Sequence, residues 1–401
     1  MKKLSLFVFV LLLSIITSAQ TPAWTIYGAV PISATKSAAM DDSANVWIAT
    51  FGGGVSKMKD GMYSTYIQGS PGLPSNNVKC VAIDDANTKW IGTLSGVAKF
   101  DGTNWTTYNN LNGLPGNNIN CITIDNSNVK WIGIQLKGLT RYDGSNFEVW
   151  NSLNSAIPNN NVNCVAIDSA GNKWVGTYGG LAKFDGANWT TYTQGGGAID
   201  QVYSVVFEDA THMWVGTGGG LFKFDGTTWT PYPIPLLPSA YVSSVAIDAD
   251  GNIWAGTTVG GIAVYDGVSA WTYYDGTTTP GLGNVINNIM IDPYDNKWIC
   301  TNDAGLAFYG IPLITGNEEL NTKNLVSVYP NPFNVSATIE MLNEGPSEIS
   351  LFDIFGNEVR RYTLQNNDKK ITINKENLVN GVYLYRVIST DGISSGKIIV
   401  N

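Results

Sequence analysis

Charged residues and histidine are scarce in this chain, and each shortage excludes a class of function. Only 14% of its 401 residues are charged, and the formal net charge is −9. That balance would repel a nucleic-acid backbone, so we expect no nucleic-acid partner, whereas neutral partners such as sugars suit it better. His212 is the single histidine, so a Ser-His-Asp catalytic set would depend on this one residue.

Cysteine is also rare, with four residues and no Cys-x-x-Cys pair, so a zinc site is not expected. Cys80, Cys121 and Cys164 occupy one position of three successive repeats, and Cys300 replaces a glycine in a fourth repeat. Equivalent positions of neighbouring repeats are not arranged for pairing. We therefore predict four buried thiols, with no disulfide framework, no metal and no cofactor.

Long apolar runs are missing except at the N-terminus. Lys2 and Lys3 precede an apolar run over residues 4–16, and small residues at 17–19 precede Gln20. This pattern predicts a signal peptide over residues 1–19. The run is shorter than the roughly 20 apolar residues of a membrane span, and no cysteine for a lipid anchor follows it. We expect a mature protein without a transmembrane segment, secreted or at the cell surface.

Tryptophans, by contrast, are plentiful and reveal an internal repeat. Seven of the 13 begin a tetrapeptide of the type Trp-x-Gly-Thr, at Trp47, Trp90, Trp131, Trp174, Trp214, Trp254 and Trp298. They are spaced 43, 41, 43, 40, 40 and 44 residues apart. A period of about 40–45 residues is that of a four-stranded propeller blade. All 13 fall at repeat positions, which favours a role in the core between blades over a sugar-binding platform.

The repeat beginning at residue 162 shows the four strands best. Residues 162–168 predict strand A, 172–177 strand B, 181–184 strand C and 189–192 strand D, separated by turns rich in Asp, Asn and Gly. The seventh repeat lacks strand D, and Trp24-Thr25-Ile26-Tyr27 supplies the missing pattern at the N-terminus. Since closure removes open sheet edges, we predict an all-β fold with a closed seven-bladed β-propeller over residues 20–310.

One segment carries a family resemblance. Residues 168–181 read Asp-Ser-Ala-Gly-Asn-Lys-Trp-Val-Gly-Thr-Tyr-Gly-Gly-Leu, and residues 248–257 repeat the pattern. This segment resembles the two-component regulator propeller repeat, and the likeness recurs through all seven units. The resemblance implies the seven-bladed sensor region of hybrid two-component systems, or a free-standing secreted protein. No kinase or transmembrane segment follows the repeats here, which departs from the receptor form.

The C-terminal part reads differently. Residues 311–324 predict a polar linker, and alternating runs over residues 325–401 predict a small Ig-like β-sandwich. Tyr-Pro-Asn-Pro-Phe at 329–333, Asp-Ile-Phe-Gly-Asn at 353–357 and Leu-Val-Asn-Gly-Val-Tyr at 378–383 occur in this order. They resemble the type A C-terminal sorting domain of Bacteroidetes type IX secretion, which implies that secretion machinery as a partner. The alternative is an ordinary carbohydrate-binding module.

A carboxylate ends strand A of every repeat: Asp41, Asp84, Asp125, Asp168, Glu208, Asp248 and Asp292. Each precedes a tight turn, where carboxylates accept hydrogen bonds from backbone N–H groups. Turn capping is therefore favoured over a ring of calcium sites, for which the distal glutamate of a calcium loop is missing.

Candidate ligand residues come from comparing the repeats. The D–A and B–C loops of a propeller emerge on one face, and positions that vary there are free of the shared structural constraint. On the B–C side we select Phe51, Gln135, Lys137, Tyr178, Thr258 and Asp303. On the D–A side we select Lys79, Asn161, Tyr203, Tyr241 and Asn287. Their amide, hydroxyl and aromatic groups suit a polar, neutral ligand.

Three functions remain open. The first is binding of an extracellular ligand, such as a glycan or a surface protein, without catalysis. The second is a carbohydrate-active or lyase-type enzyme, in which Asp200 and Asp303 could form a carboxylate pair. The chain resembles streptogramin lyase in outline, but His212 lies in a predicted A–B turn, away from the loop face. The third is a scaffold for protein interactions.

Overall fold

The structure, a computed structural model, describes residues 22–27, 34–59, 61–69, 72–192, 200–232, 236–311, 326–341, 347–352, 358–364, 368–376, 378–389 and 392–401. The predicted signal peptide and nearly all of the predicted linker lie outside these ranges. The chain divides into two compact units, Met1–Leu313 and Ile314–Asn401.

The described residues form 35 strands. In the first unit these are β1 (Ala23–Tyr27), β2 (Thr35–Met40), β3 (Val46–Thr50), β4 (Gly54–Lys59), β5 (Met62–Tyr66), β6 (Val78–Ile83), β7 (Lys89–Thr93), β8 (Gly96–Phe100), β9 (Trp105–Tyr108), β10 (Ile119–Ile124), β11 (Lys130–Ile134), β12 (Gly138–Tyr142), β13 (Phe147–Trp150), β14 (Val162–Ile167), β15 (Lys173–Thr177), β16 (Gly180–Phe184), β17 (Trp189–Tyr192), β18 (Val202–Phe207), β19 (Met213–Thr217), β20 (Gly220–Phe224), β21 (Trp229–Tyr232), β22 (Val242–Ile247), β23 (Ile253–Thr257), β24 (Ile262–Tyr265), β25 (Trp271–Tyr274), β26 (Ile286–Ile291), β27 (Lys297–Thr301) and β28 (Leu306–Gly310). In the second unit they are β29 (Val326–Tyr329), β30 (Ser336–Met341), β31 (Ser347–Phe352), β32 (Glu358–Leu364), β33 (Lys370–Asn374), β34 (Gly381–Ser389) and β35 (Gly392–Val400).

The first unit is a seven-bladed propeller, which confirms the predicted fold class. Strands β2 to β25 form six antiparallel sheets of four consecutive strands, called blades 1 to 6 here, each with strands A to D in chain order. Blade 7 has the order β1-β28-β27-β26. Strand A of each blade contacts strand A of both neighbouring blades, including β2 against β26, so the ring is closed.

The N-terminal strand closes blade 7 as predicted. Strand β1 pairs antiparallel with β28, and Trp24 stands opposite Tyr309 in the register. The Trp24 ring also packs on Tyr274 of blade 6, with ring centroids 5.2 Å apart. Closure therefore joins the two ends of the repeat region by a backbone ladder and by aromatic packing.

The carboxylate at the end of strand A has a second partner besides its turn. In blade 2 the Asp84 side chain accepts the backbone N–H groups of Ala86 and Thr88, as turn capping predicts. Its other oxygen accepts the indole Nε1–H of Trp90 at 2.9 Å. The same bond from the repeat tryptophan to the carboxylate six residues earlier recurs in all seven blades, at 2.8–2.9 Å. The indole donor buried between blades is thereby satisfied.

Four blade junctions add a lysine to this pair. The first residue of strand B in the following blade places its ammonium on the carboxylate of the preceding blade, as Lys130 does on Asp84 at 3.1 Å. The Lys130 ammonium also lies 4.8 Å from the ring centre of Trp90, which adds a cation–π contact. The corresponding ion pairs are Lys89–Asp41, Lys173–Asp125 and Lys297–Asp248, at 3.3–3.6 Å.

The rest of the tetrapeptide has structural roles as well. A Cβ added at Gly92 would lie 2.4 Å from the Cys80 sulfur and 2.7 Å from the Ile119 side chain of blade 3. The position where neighbouring blades approach most closely therefore needs a small residue, which is glycine in five of the seven blades, Ala49 in blade 1 and Cys300 in blade 7. The following threonine is fully buried, and in blade 2 its hydroxyl donates to the carbonyl of Gly96 at 2.9 Å, which fastens the B–C turn.

Blade 7 departs from this pattern with a compensating change. Cys300 occupies the glycine position, and the neighbouring strand of blade 1 begins with the smaller Thr35 where other blades have valine or isoleucine. The Thr35 hydroxyl donates to the carbonyl of Gly305 at 2.7 Å and accepts the N–H of Thr301 at 2.9 Å. All four thiols are unpaired. Burial raises the pKa of the Cys300 thiol to about 12, so it is a neutral packing group.

The second unit is a β-sandwich, as predicted. One sheet has the order β29-β30-β33 and the other has the order β32-β31-β34-β35. Asn331 explains part of the Tyr-Pro-Asn-Pro-Phe motif, because its side chain accepts the N–H of Ile399 and donates to the carbonyl of Lys397. Phe333 exchanges backbone hydrogen bonds with Ile399 and Asn401. The motif thus holds the last strand of the chain in place.

Ring closure makes a first testable prediction. A protein that starts at Gly28 lacks β1, exposes the edge of β28 and loses the Trp24 contacts. Because loss of the β1 ladder and of the half-buried Trp24 ring should cost on the order of 3 kcal/mol, the melting temperature should fall by about 6 °C or more. The control is a protein that starts at Thr21. Equal melting transitions of the two proteins, measured by calorimetry, would contradict closure by β1.

The carboxylate–tryptophan pair makes a second prediction. Asp84→Ala leaves the Trp90 indole and the Lys130 ammonium without their shared partner, so the free energy of unfolding should fall by about 3 kcal/mol. Asp85→Ala makes the same charge change at the exposed neighbouring residue and should leave the denaturant midpoint unchanged. A similar midpoint for both variants would refute this role of Asp84.

Acid titration gives the same prediction an independent readout. Burial raises the pKa of Asp84, but hydrogen bonds from Trp90 and Thr88 and the Lys130 charge outweigh it and hold the pKa below its usual value. The stabilisation by Asp84 is therefore complete above its unfolded-state pKa of about 3.9 and is lost as the pH falls through the lower folded-state value. Asp84→Ala should show a shallower loss of stability below about pH 4 than the unaltered protein.

Candidate functional site

The candidate site is the face formed by the D–A and B–C loops. In every blade the first residue after strand B donates its N–H to the carbonyl of the residue just before strand A, as Tyr178 does to Asn161 at 3.1 Å. The two loop positions from which most candidates were chosen therefore lie side by side, next to the inner strands of the ring. The seven pairs are Phe51–Ala34, Leu94–Asn77, Gln135–Asn118, Tyr178–Asn161, Gly218–Gln201, Thr258–Tyr241 and Asn302–Val285.

A β-bulge at the start of strand A recurs in all seven blades. In blade 4 the register passes from Val162 to Cys164 and leaves Asn163 out of the ladder. A bulge changes the direction of the extra side chain. We call the seven bulged residues, one from each blade, the bulge ring. Its members are Lys36, Lys79, Asn120, Asn163, Tyr203, Ser243 and Asn287.

Four members of the bulge ring tie one blade to the next. The side-chain amides of Asn120, Asn163 and Asn287 each donate to a backbone carbonyl at the start of the following strand A, at 2.7–2.9 Å. The hydroxyl of Ser243 does the same to the carbonyl of Ile286. Asn287, which we selected as a candidate ligand residue, thus also has a structural role.

Lys36 and Lys79 replace this tie in blades 1 and 2. The Lys36 ammonium turns to blade 7, where it donates to Asn302 at 2.7 Å and more weakly to Asn287 at 3.4 Å. The Lys79 ammonium turns to blade 3 and donates to Asn118 and Asn120 at 2.7 and 2.8 Å. Burial lowers the pKa of both lysines, and the charge of Lys36 lowers that of Lys79 further.

Amide groups extend the surroundings of Lys79. Asn118 donates its side-chain N–H to Gln135, so the candidates Lys79 and Gln135 are joined through a residue that sequence reasoning missed. Next to Gln135, Leu136 has a positive φ of 62° and is 65% exposed. Its N–H is held by the side chain of Asn161 at 2.9 Å. An exposed leucine in this conformation is uncommon, and such backbone is enriched at functional sites.

Three tyrosines form an aromatic cluster across blades 4 to 6. The rings of Tyr203 and Tyr241 lie 4.7 Å apart, and Tyr178 meets Tyr203 edge-on at 6.0 Å. The Tyr241 hydroxyl donates to that of Tyr203, which donates to Gln201 at 3.1 Å. Tyr178 remains 43% exposed. The structure thus brings three candidates together into one partly open aromatic surface.

The remaining candidates lie apart from this cluster. Phe51 is 42% exposed, and the Lys36 ammonium lies 5.7 Å from its ring centre. Lys137 is exposed on the B–C loop of blade 3. Thr258 is half-buried on the B–C loop of blade 6. Asp303 accepts the backbone N–H of Asn284 at 3.0 Å, so its carboxylate caps a loop of blade 7.

The residues considered for catalysis are spread over the molecule. Asp200 immediately precedes blade 5, two blades away from Asp303. His212 lies in the A–B turn between β18 and β19, where its Nδ1 is 2.7 Å from the Asp209 carboxylate. A–B turns emerge at the opposite end of the blade from the D–A and B–C loops. In the described ranges, no group of three His, Cys, Asp or Glu side chains is arranged to hold a metal ion.

Two grooves occur on the A–B side of the ring and contain none of the candidates. One of about 630 Å³ lies between blades 3 and 4 and is lined by Trp131, Trp150 and Trp189, among others. The other, of about 300 Å³, lies between blades 6 and 7 beside Trp254. Both expose parts of the carboxylate–tryptophan–lysine network that holds the blades together. Their concave shape follows from the blade junction and is explained by the packing of the blades.

Exposed apolar side chains are concentrated on the loop face. Those on its D–A and B–C loops are Phe51, Ile67, Leu111, Leu136, Leu153, Tyr178, Leu236 and Val259, between 37% and 93% exposed. At the opposite end the exposed large apolar side chains of the described residues of the first unit are Met62, Val268, Tyr294 and Ile311. Clustered apolar exposure marks surfaces that contact another molecule.

The comparisons with known proteins agree with this organisation. Residues 156–179 and 236–258 match the family described as two component regulator propeller. Residues 327–401 match the family described as secretion system C-terminal sorting domain. The chain carries regulator propeller repeats and a type IX sorting domain. Such a sorting domain implies a secreted or cell-surface location. No described helix is long and apolar enough to cross a membrane. No curated protein matches the chain in sequence.

Several solved structures share the fold. Two extracellular domains of hybrid two-component systems from B. thetaiotaomicron align with TM-scores of 0.64 and 0.65, at 20% and 16% identity. The alignments cover 95% of this chain in both cases, but only 58% and 59% of those domains. A catalytically inactive virginiamycin B lyase from Staphylococcus aureus, crystallised with quinupristin, aligns with a TM-score of 0.60 at 13% identity, over 72% of this chain and 99% of the lyase. At these identities the likeness concerns the fold alone.

Proposed function

We propose that this propeller binds an extracellular glycan at the face formed by its D–A and B–C loops and carries out no catalysis. The observation that carries the proposal is the cluster of Tyr178, Tyr203 and Tyr241, which combines partly open aromatic rings with hydroxyl groups. Sugars present both apolar C–H faces and hydroxyl groups, so aromatic rings beside polar groups are suitable partners. Amides of Asn118, Gln135 and neighbouring residues continue the polar surface around the ring.

The arrangement of the charged groups favours binding over catalysis. The lone histidine lies at the other end of the blade, and Asp303 is engaged by backbone N–H groups. General acid–base chemistry needs a titratable group within hydrogen-bond reach of the reacting atom. The match of residues 156–179 and 236–258 to the two component regulator propeller family favours a binding role over catalysis. A protein scaffold is the second candidate, favoured by Leu111 and Leu153, which are 89% and 93% exposed on D–A loops.

A glycan array with the purified protein tests the proposed function. Tyr178→Ala should weaken binding of the captured glycan by about tenfold, the equivalent of about 1.4 kcal/mol, because it removes an exposed ring from the cluster. Tyr294→Ala removes an exposed tyrosine from an A–B turn of blade 7 and should leave the affinity unchanged. Shortened products from the bound glycan, abolished by Asp303→Asn, would replace the proposal by an enzyme.

Export is proposed to depend on the second unit. In a host with type IX secretion, a protein without residues 325–401 should remain in the periplasm, because the sorting domain is absent. The full chain should reach the cell surface or the medium in the same host, and it should stay in the periplasm of a strain without type IX secretion. Immunoblots of the cell fractions measure both. Appearance of the truncated protein outside the cell would rule out this sorting role.

A further inference from the structure

The bulge ring contains two adjacent positive charges whose position the fold does not explain. In blades 3, 4 and 7 an asparagine at this position ties one strand A to the next. Lys36 and Lys79 lie at the equivalent positions of blades 1 and 2, half-buried and next to each other around the ring. A neutral amide serves the same structural purpose elsewhere in the ring without the cost of bringing like charges together.

Neither ammonium has a countercharge among the residues that the structure describes. Among the described residues, both lysines donate only to side-chain amide oxygens, and neither forms an ion pair with a carboxylate. Lysines at four blade junctions, such as Lys89 and Lys130, do have carboxylate partners. The chain is acidic overall, with a net charge of −9, so carboxylates are available in number and are still not placed here.

The two ammonium groups point to different blades, and the described part of the chain leaves one N–H donor of each without an acceptor. Lys36 points to Asn302 and Asn287 of blade 7, and Lys79 points to Asn118 and Asn120 of blade 3. An ammonium group carries three N–H donors, and within the described ranges each lysine has two acceptors. One N–H donor of the Lys36 ammonium and one of the Lys79 ammonium therefore remain for a ligand. An anionic oxygen is the partner that a partly desolvated ammonium binds most strongly.

From this geometry we infer that Lys36 and Lys79 bind the anionic groups, carboxylates or sulfate esters, of an acidic polysaccharide. The inference rests on the proposed function, because it places the charged groups of the glycan on blades 1 and 2. The sugar rings reach the tyrosines of blades 4 to 6 across the same face. Phe51, beside Lys36, offers a further apolar contact. Recognition combines contacts to the charged groups with aromatic contacts, and the acidic surface elsewhere opposes non-specific binding of polyanions.

Matched pairs of polymers test the inference with the full-length purified protein. Oligogalacturonate is compared with its methyl ester, and dextran sulfate with dextran, by calorimetry or biolayer interferometry. One acidic form should bind at least about tenfold more tightly than its neutral match, and which pair shows the difference separates carboxylate from sulfate recognition. Equal binding of acidic and neutral forms would overturn the anion site and leave the proposed function intact. No binding of any of the four polymers, nor of any array glycan, would overturn both.

Single-charge variants locate the site. Lys36→Gln and Lys79→Gln keep an amide donor in the ring and should each weaken binding of the acidic polymer by about tenfold, with the neutral polymer unaffected. Lys59→Gln makes the same charge change at an exposed position on the opposite end of blade 1 and should have no effect. Melting curves show whether each variant is folded. If the folded Lys36 and Lys79 variants bind the acidic polymer as tightly as the unaltered protein, the inference is wrong.

Discussion

The hydrogen bond from the repeat tryptophan to the carboxylate six residues before it is the interaction on which the propeller depends. It joins the end of strand A to strand B, fixes the turn between them and satisfies an indole donor that would otherwise be buried without a partner. Lysines from the following blade extend it across four of the junctions. The remaining tetrapeptide residues act at the other end of strand B, where glycine admits the neighbouring blade and threonine fastens the turn. Each repeat therefore contains, in about ten residues, the contacts that orient it and its neighbour.

This concentration explains why so much of the fold was predictable from the sequence. The spacing of Trp47 to Trp298 gave the number of blades, and the displaced Trp24 strand gave the closure. Turn capping by the strand A carboxylates was predicted correctly, but their bond to the indole was not, because nothing in the sequence says which way an indole points. The tyrosine cluster was accessible for a related reason, since Tyr178, Tyr203 and Tyr241 break a regular pattern in adjacent repeats.

Other parts of the candidate site could not be predicted from the sequence, because they depend on strand register and on loop geometry. A bulge shifts by one residue which side chains face each side of the sheet. Small and large residues alternate over most of strand A, so this pattern gives no sign of the bulge. Lys36 was missed although its counterpart Lys79 was selected, because the first repeat lacks the strand D tryptophan that helps to align most of the others. Asn118 and Leu136 were missed because amide contacts and a positive φ depend on the geometry of two loops together. Asp303 was selected as a variable loop residue, but its carboxylate is engaged by the backbone of its own blade.

The bulge ring separates two requirements that usually conflict within a sheet. A residue that the ladder omits can change its side chain without altering the backbone pairing on either side of it. Seven such positions, one per blade, surround a single axis on a backbone that is the same in every blade. Duplication of a blade repeats the backbone, and single substitutions at the bulged positions can then alter which ligand the ring binds. A repeat protein of this kind can acquire a new ligand by point mutation long before its repeats lose their common pattern.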